Sequence, residues 1–325
     1  MAAPADTVRT TASPLGPAVQ HSGRGIAFRI GAMVCMALLS ALVKWCGSRG
    51  INVFQIIFFR NVFAFVPLGI YIWRTTGFGV LRTQRPLGHL ARSTVGLVGM
   101  VSGFSAVQFL PLTSATAFNF ASPLFMTALA ALILKEKVGR HRWAAVAVGF
   151  VGVLVMVRPA PGPLHPVGAA MAGGDHKALL HLIGVGLALL GAAGAAGAMI
   201  AVREIGRTER GPTIVFYFTL AGATLGLVSL PFVWVTPDPA TLALLVLAGL
   251  IGGVGQMLLT EALRVAPVGV VAPFDYTQLI WASLIGFFIW GELPHPATVI
   301  GALIVAASGI YILYRELRIL RAGAA

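Results

Sequence analysis

The chain has 325 residues, 58% of them hydrophobic and only 10% charged, with a formal charge of +13. Ordinary soluble domains carry roughly 25% charged residues, so no single water-facing globule accommodates this composition and lipid must be the solvent for much of it. The basic residues sit in short segments between apolar runs, which excludes the clustered basic face of a nucleic-acid-binding protein.

Residues 1–23 are rich in Ala, Pro, Ser and Thr and lack the basic start and apolar core of a signal peptide. They are expected to form a disordered cytoplasmic tail. The apolar runs then follow as Ile26–Gly47, Ile51–Trp73, Leu90–Leu110, Leu112–Leu134 and Trp143–Val157. After the Pro- and Gly-rich stretch containing PAPGPLHP come Leu179–Val202, Thr213–Val235, Thr241–Leu263, Val268–Trp290 and Val299–Leu313. Each run is long enough, or nearly so, for a bilayer span of about 20 residues. The fold expected is therefore all-α and integral to the membrane, with ten transmembrane helices. Short links at Pro111 and at Ala266-Pro267 force antiparallel neighbours.

Lys and Arg are concentrated in cytoplasmic loops of membrane proteins. With the N-terminus inside, 16 of the 23 fall in inside segments, three in outside loops and four within the runs. Both termini are thus expected in the cytoplasm.

An internal repeat organises the runs. SAVQFLPL (Ser105–Leu112) aligns with EALRVAPV (Glu261–Val268), Phe118-Asn119-Phe120 falls on Phe274-Asp275-Tyr276, and Glu136 falls on Glu292. Pro111 to Glu136 and Pro267 to Glu292 are both 25 residues. Each unit holds five spans, an odd number, so the second must lie inverted relative to the first. The organisation expected is a first repeat at 24–158, a linker at 159–177, a second repeat at 178–318 and a tail at 319–325. Inverted repeats are characteristic of transporters whose substrate site lies near the midplane, between the repeats.

The charged and polar residues within the runs are the site candidates. Arg60 sits mid-run, too deep to reach either surface easily. A charge there costs at least about 2.5–3.5 kcal/mol and faces a cavity or a partner. It is read either as a fixed cation for a carboxylate or phosphate, or as a structural bridge to Asp275 or to backbone carbonyls. Asp275 is read either as a proton-coupling or binding carboxylate, or as Arg60's partner. Asn61, Gln108, Asn119, Tyr276 and Gln278 supply polar groups that orient a ligand or hydrogen-bond between helices. Lys44 near the outer end of its run and Glu261 near the inner end of its own are divided between substrate or coupling contact and snorkelling or capping. Arg29 and Arg92 lie near inner ends and read as anchors; Glu136 and Glu292 read as residues that tie down hairpin turns. The glycines of GAAGAAG (Gly191–Gly197) and GLIGGVG (Gly249–Gly255) read as close helix packing.

Cys35 and Cys46 lie about 16 Å apart on one helix at 1.5 Å per residue, too far for a mutual disulfide. None of the seven histidines lies mid-run, and no Ser/His/Asp set or HExxH motif is present. No enzyme, cofactor or metal site is expected.

The motifs FQIIFFRN (Phe54–Asn61), FLPLTSATAFNFASPLF (Phe109–Phe125), GQMLLTEALRVAPVGVVAPFDYTQLIW (Gly255–Trp281) and GELP (Gly291–Pro294) resemble those of the drug/metabolite transporter superfamily, as two EamA-type domains. The FFRN and APFDYT patterns look most like the subgroup that includes S-adenosylmethionine uptake proteins, riboflavin transporters and metallophore exporters. The resemblance implies spans one to four and six to nine around a central cavity, with five and ten at the periphery. It departs from small multidrug exporters of the superfamily, which use an acidic residue in the first span; here that span has Arg29 and Lys44 instead.

The function expected is secondary transport of a small polar metabolite, anionic or zwitterionic and S-adenosylmethionine-like, across the inner membrane by alternating access. Its partners are the substrate, the lipid bilayer and a proton or counter-substrate. The alternatives are a broad-specificity exporter and a non-transporting scaffold on the same fold.

Overall fold

A computed structural model describes residues 22–133, 135, 139–157, 176–266 and 268–322. The expected N-terminal tail, the core of the 159–177 linker and the role assigned to Glu136 lie outside the described residues. The architecture is all-helical. The helices are α1 (Ser22–Ser48), α2 (Val53–Thr75), α3 (Pro86–Phe109), α4 (Leu112–Asn119), α5 (Ser122–Ile133) and α6 (Arg140–Met156). The second half comprises α7 (His176–Ile205), α8 (Gly211–Val233), α9 (Pro239–Val265), α10 (Val268–Val271), α11 (Thr277–Trp290) and α12 (Pro296–Ala322). Eight spans are continuous or nearly continuous helices long and apolar enough to cross a bilayer. Of the other two, α6 has 17 residues, and the ninth is interrupted between α10 and α11.

Local sequence explains where helices begin and stop. Asn52 and Asp238 cap α2 and α9 by accepting the backbone N–H groups of Phe54 and Thr241, which fills donors left open at a helix start. Pro86, Pro212 and Pro239 occupy first turns, where a missing N–H is harmless. At the end of α11, Gly291 takes a left-handed conformation (φ 66°). The Gly291 N–H bonds the Phe287 carbonyl at 2.9 Å, an αL closure, and the Glu292 N–H reaches back to the Gly286 carbonyl at 3.1 Å, which turns the Glu292 side chain toward the first half.

Both fourth-in-repeat spans are broken, each beside a proline. Pro123 has no N–H for the Asn119 carbonyl four residues back. The chain tightens through Phe120 and Ala121, whose N–H groups bond Ala117 and Phe118 at 3.1 and 3.0 Å, before α5 resumes. In the ninth span, Pro273 opens a 3₁₀ turn over Ala272–Tyr276 between α10 and α11. The two breaks fall on the aligned triplets Phe118–Phe120 and Phe274–Tyr276.

Packing follows the repeat. The third span packs on the sixth as the eighth packs on the first, while the fifth with the tenth and the second with the seventh are each their own equivalents. Exchanging the halves maps one set of contacts onto the other, as a two-fold relation between inverted repeats requires. Glycine sets the closest approach. A Cβ on Gly99 would lie 3.0 Å from the Gly194 carbonyl carbon and the Ala195 nitrogen, so α3 and α7 meet backbone to backbone, as small residues permit in membranes. The outer faces keep large apolar side chains such as Phe232, Phe288 and Leu132 exposed, where lipid tails cover them.

Candidate functional site

A cavity of about 390 Å³ lies between the halves, bounded by α1, α3 and α4 of the first and α7, α8 and α11 of the second. It falls within the range of roughly 300–1,000 Å³ common for small-molecule sites. Its polar groups come from Ser40, Arg92, Thr116, Asn119 and Gln278, and its apolar ones include Met36, Met100, Met199 and Phe218. No Asp or Glu is among the described residues lining it.

Arg92 belongs to a face of α3 that repeats as Arg92, Gly96, Gly99, Gly103, all four of which line the cavity. Spacings of four, three and four put them on one side of a helix. Gly96 makes room for the guanidinium: a Cβ there would lie 3.0 Å from both Arg92 Nη1 and the Phe218 ring. Arg92 Cζ consequently stacks 3.9 Å from the Phe218 ring centroid. Its Nε and Nη1 are buried and make no hydrogen bond to the described residues.

Arg60 stands behind the same ring. It is 6% exposed, its Cζ lies 6.0 Å from the Phe218 centroid, and its Nε has no partner. Its Nη1 donates to Asn61 Oδ1 at 2.9 Å, and Asn61 Nδ2 donates to the Ile57 carbonyl at 2.8 Å. Asn61 is thereby oriented to receive the guanidinium, and neither residue lines the cavity. Gly252 lies beside the guanidinium, where a Cβ would be in ordinary contact with Nε at 3.4 Å.

The bridge between Arg60 and Asp275 weighed from the sequence is not formed. Asp275 instead accepts two N–H groups from Arg29, which is a pairing residue and not only an anchor. Arg92, also read as an anchor, faces the cavity. Asn119 and Gln278 line the cavity beside the two helix breaks. Tyr276 packs its ring on Phe120 with centroids 4.9 Å apart, and Gln108 is exposed and covers Gly47.

Lys44 is held in the protein. It donates to Glu292 and, at 3.2 Å, to the Leu110 carbonyl, while Glu292 Oε2 accepts the Leu112 N–H at 2.9 Å. One carboxylate thus joins the first span, the start of the fourth and the turn after the ninth. Glu261 accepts from the Tyr71 hydroxyl at 2.6 Å and from Arg264 at 2.8 Å, tying α9 to α2.

A further polar cluster carried no sequence signal. Glu209, between α7 and α8, accepts the Thr83 hydroxyl at 2.8 Å and the Gln84 N–H at 2.9 Å. Buried His89 lies 3.8 Å from its carboxylate and packs on Tyr217, with ring centroids 4.5 Å apart. Burial alone would push the Glu209 carboxyl up, but these donors hold it below its usual value. The cluster ties the loop before α3 to the loop before α8. Among the described residues no group of three or more His, Cys, Asp or Glu could hold a metal ion.

Known proteins share this organisation. The EamA-like transporter family matches residues 23–158 and again 182–315. The chain is 29% identical to an S-adenosylmethionine uptake transporter of Rickettsia prowazekii, over 90% of this chain and 93% of that one. It is 28% identical to a riboflavin transporter of Rhizobium johnstonii, over 90% and 92%. It is 30% identical to a pseudopaline exporter of Pseudomonas aeruginosa, over 88% and 94%. A solved crystal structure shares the fold with a TM-score of 0.61 at 17% identity, covering 92% of this chain and 99% of its own. With two copies of the family's domain along its length, the chain is a multi-pass membrane protein of the EamA-like transporter family, within the drug/metabolite transporter superfamily.

Proposed function

We propose that the protein is a secondary transporter that moves a small polar metabolite bearing an anionic group across the inner membrane by alternating access. The observation that carries this reading is the cavity between the halves, lined by Arg92, Asn119 and Gln278. Broken helices at such an interface expose backbone groups to substrate and can swing, as in other inverted-repeat transporters. The Arg92 guanidinium at the cavity wall supplies charged N–H donors for a carboxylate or phosphate.

Both termini lie in the cytoplasm, following the Lys and Arg distribution. A proton or counter-substrate drives the cycle, with Asp275 and Glu261 as the carboxylates placed to take part. Arg60, Asn61, Lys44, Gln108 and Tyr276 support the site from outside the cavity wall in this conformation. Ligand must bind the inward- and outward-facing states differently to bias them.

The relatives point to substrate classes to try first. Uptake of labelled S-adenosylmethionine into cells expressing the protein, with and without a protonophore, is the first assay, and saturable uptake lost in Arg92→Gln would support the transport reading. Absence of uptake above background, with correct insertion, would remove that substrate and leave riboflavin and metallophore export as the next assays. A panel giving no movement in either direction would favour the scaffold alternative.

A further inference from the structure

Several ionised side chains within and at the ends of the spans are paired. Arg29 with Asp275, Lys44 with Glu292 and Arg264 with Glu261 are opposite charges in direct contact. Among the described residues Arg60 and Arg92 form no ion pair: the hydrogen bond of Arg60 goes to the neutral Asn61 amide, and Arg92 lies against the Phe218 ring. Two positive charges therefore share one aromatic ring, next to a cavity whose described lining contains no acid.

Resting on the transporter reading above, we propose that the transported metabolite brings two negative charges to this pair, as a phosphate monoester or a dicarboxylate does. One anionic group binds the Arg92 guanidinium at the cavity wall. The second charge balances Arg60 across the Phe218 ring.

Three physical points support the assignment. First, like charges in a medium of low dielectric repel strongly, and each costs several kcal/mol when unpaired in a membrane. A dianion converts both terms to attraction. Second, Arg92 Cζ lies 3.9 Å from the Phe218 ring centroid, a cation–π contact that takes up no N–H donor in a hydrogen bond. Phe218 therefore holds Arg92 in place without consuming the groups a ligand needs. Third, Asn61, held by the Ile57 carbonyl, accepts from Arg60, so its charge is positioned by the fold. A ligand with a net positive charge finds no counter-charge on this wall.

Purified full-length protein tests this by titration at pH 7.5. The probes are glycerol 3-phosphate and succinate as dianions, lactate as a monoanion, glycerol as a neutral control and S-adenosylmethionine. At least one dianion is expected to bind about tenfold or more tightly than lactate, a difference of about 1.4 kcal/mol. Arg92→Gln should lose that binding, and Arg60→Gln should bring dianion affinity down to that of lactate. Arg60→Lys keeps the charge and should keep the discrimination, which guards against a misfolded Arg60→Gln. Which dianion binds separates phosphate from dicarboxylate recognition. Lactate binding as tightly as both dianions, or no dianion binding to folded wild-type protein, would overturn the proposal. S-adenosylmethionine transport indifferent to both dianions would overturn it and leave the transport reading intact. Tight dianion binding without movement of any labelled compound would instead support this site and count against transport.

Discussion

Phe120 and Tyr276 occupy equivalent positions in the two halves, and their rings meet edge to face with centroids 4.9 Å apart. Repeat mates touch when they lie near the axis that relates the repeats. Each sits at the break of its own discontinuous span, so the two interruptions converge on one point in the bundle. Asn119 and Gln278, flanking those breaks, face the cavity. Tyr276 is further confined by Gly309, where a Cβ would collide with its hydroxyl.

The pairing of Arg29 with Asp275 fastens the first span to the break of the ninth. Asp275→Asn leaves Arg29 without its counter-ion. Because the Asp275 side chain is 36% exposed, the expected cost is about 2 kcal/mol, below the roughly 3–5 of a fully buried pair. The double variant Arg29→Gln/Asp275→Asn should lose less than the sum of the single losses. Thermal unfolding of the four proteins measures this, and strict additivity would mean the two residues are not coupled.

Glu292 satisfies the Leu112 N–H as well as Lys44. Glu292→Ala should therefore lower the melting temperature more than Lys44→Met, because it strands both a cation and a backbone donor. Equal losses would show that the backbone bond adds nothing.

The approach of α3 to α7 leaves no room for side chains. A Cβ on Gly194 would lie 2.7 Å from the Gly99 nitrogen, whereas one on Gly186 meets nothing within 4 Å. Gly194→Val is expected to cost at least about 1–3 kcal/mol, as overpacking does, and to reduce transport. Gly186→Ala should leave both unchanged, and yield of folded protein from the two variants distinguishes the outcomes.

Glu209 should make stability depend on pH. Its carboxyl is held below the ordinary value by the Gln84 and Thr83 donors and His89. Its contribution is fully present above the unfolded value of about 4.3 and is lost as pH falls through the lower folded value. The melting-temperature gap between wild type and Glu209→Gln should be full at pH 7 and narrow only below about 4.3. A gap constant across that range would show that the contacts do not depend on the carboxylate's charge.

The architecture was legible in the sequence because hydropathy and an aligned repeat are properties of consecutive residues. Arg60 stood out for the same reason, being deep in its run by count. Arg29 and Arg92 did not, since hydropathy starts their runs at Ile26 and Leu90 while the helices begin at Ser22 and Pro86. At 1.5 Å per residue, Arg92 lies about 9 Å along α3 from its start, far enough to reach the cavity. The stripe Arg92, Gly96, Gly99, Gly103 carried the missing signal, because a charge on the small-residue face points toward neighbouring helices and away from lipid. The partners of Asp275 and Lys44, and the Glu209 cluster, join residues more than 120 positions apart, and such contacts exist only once the helices have packed.

The most direct test needs no knowledge of the substrate. Asn119→Cys, on a background with Cys35 and Cys46 replaced by Ser, is reacted with a membrane-impermeant thiol reagent from each side of sealed vesicles. Alternating access through this cavity gives modification from either side, with vesicles that stay tight to small solutes. Modification from one side alone under all conditions, or from neither, would contradict it.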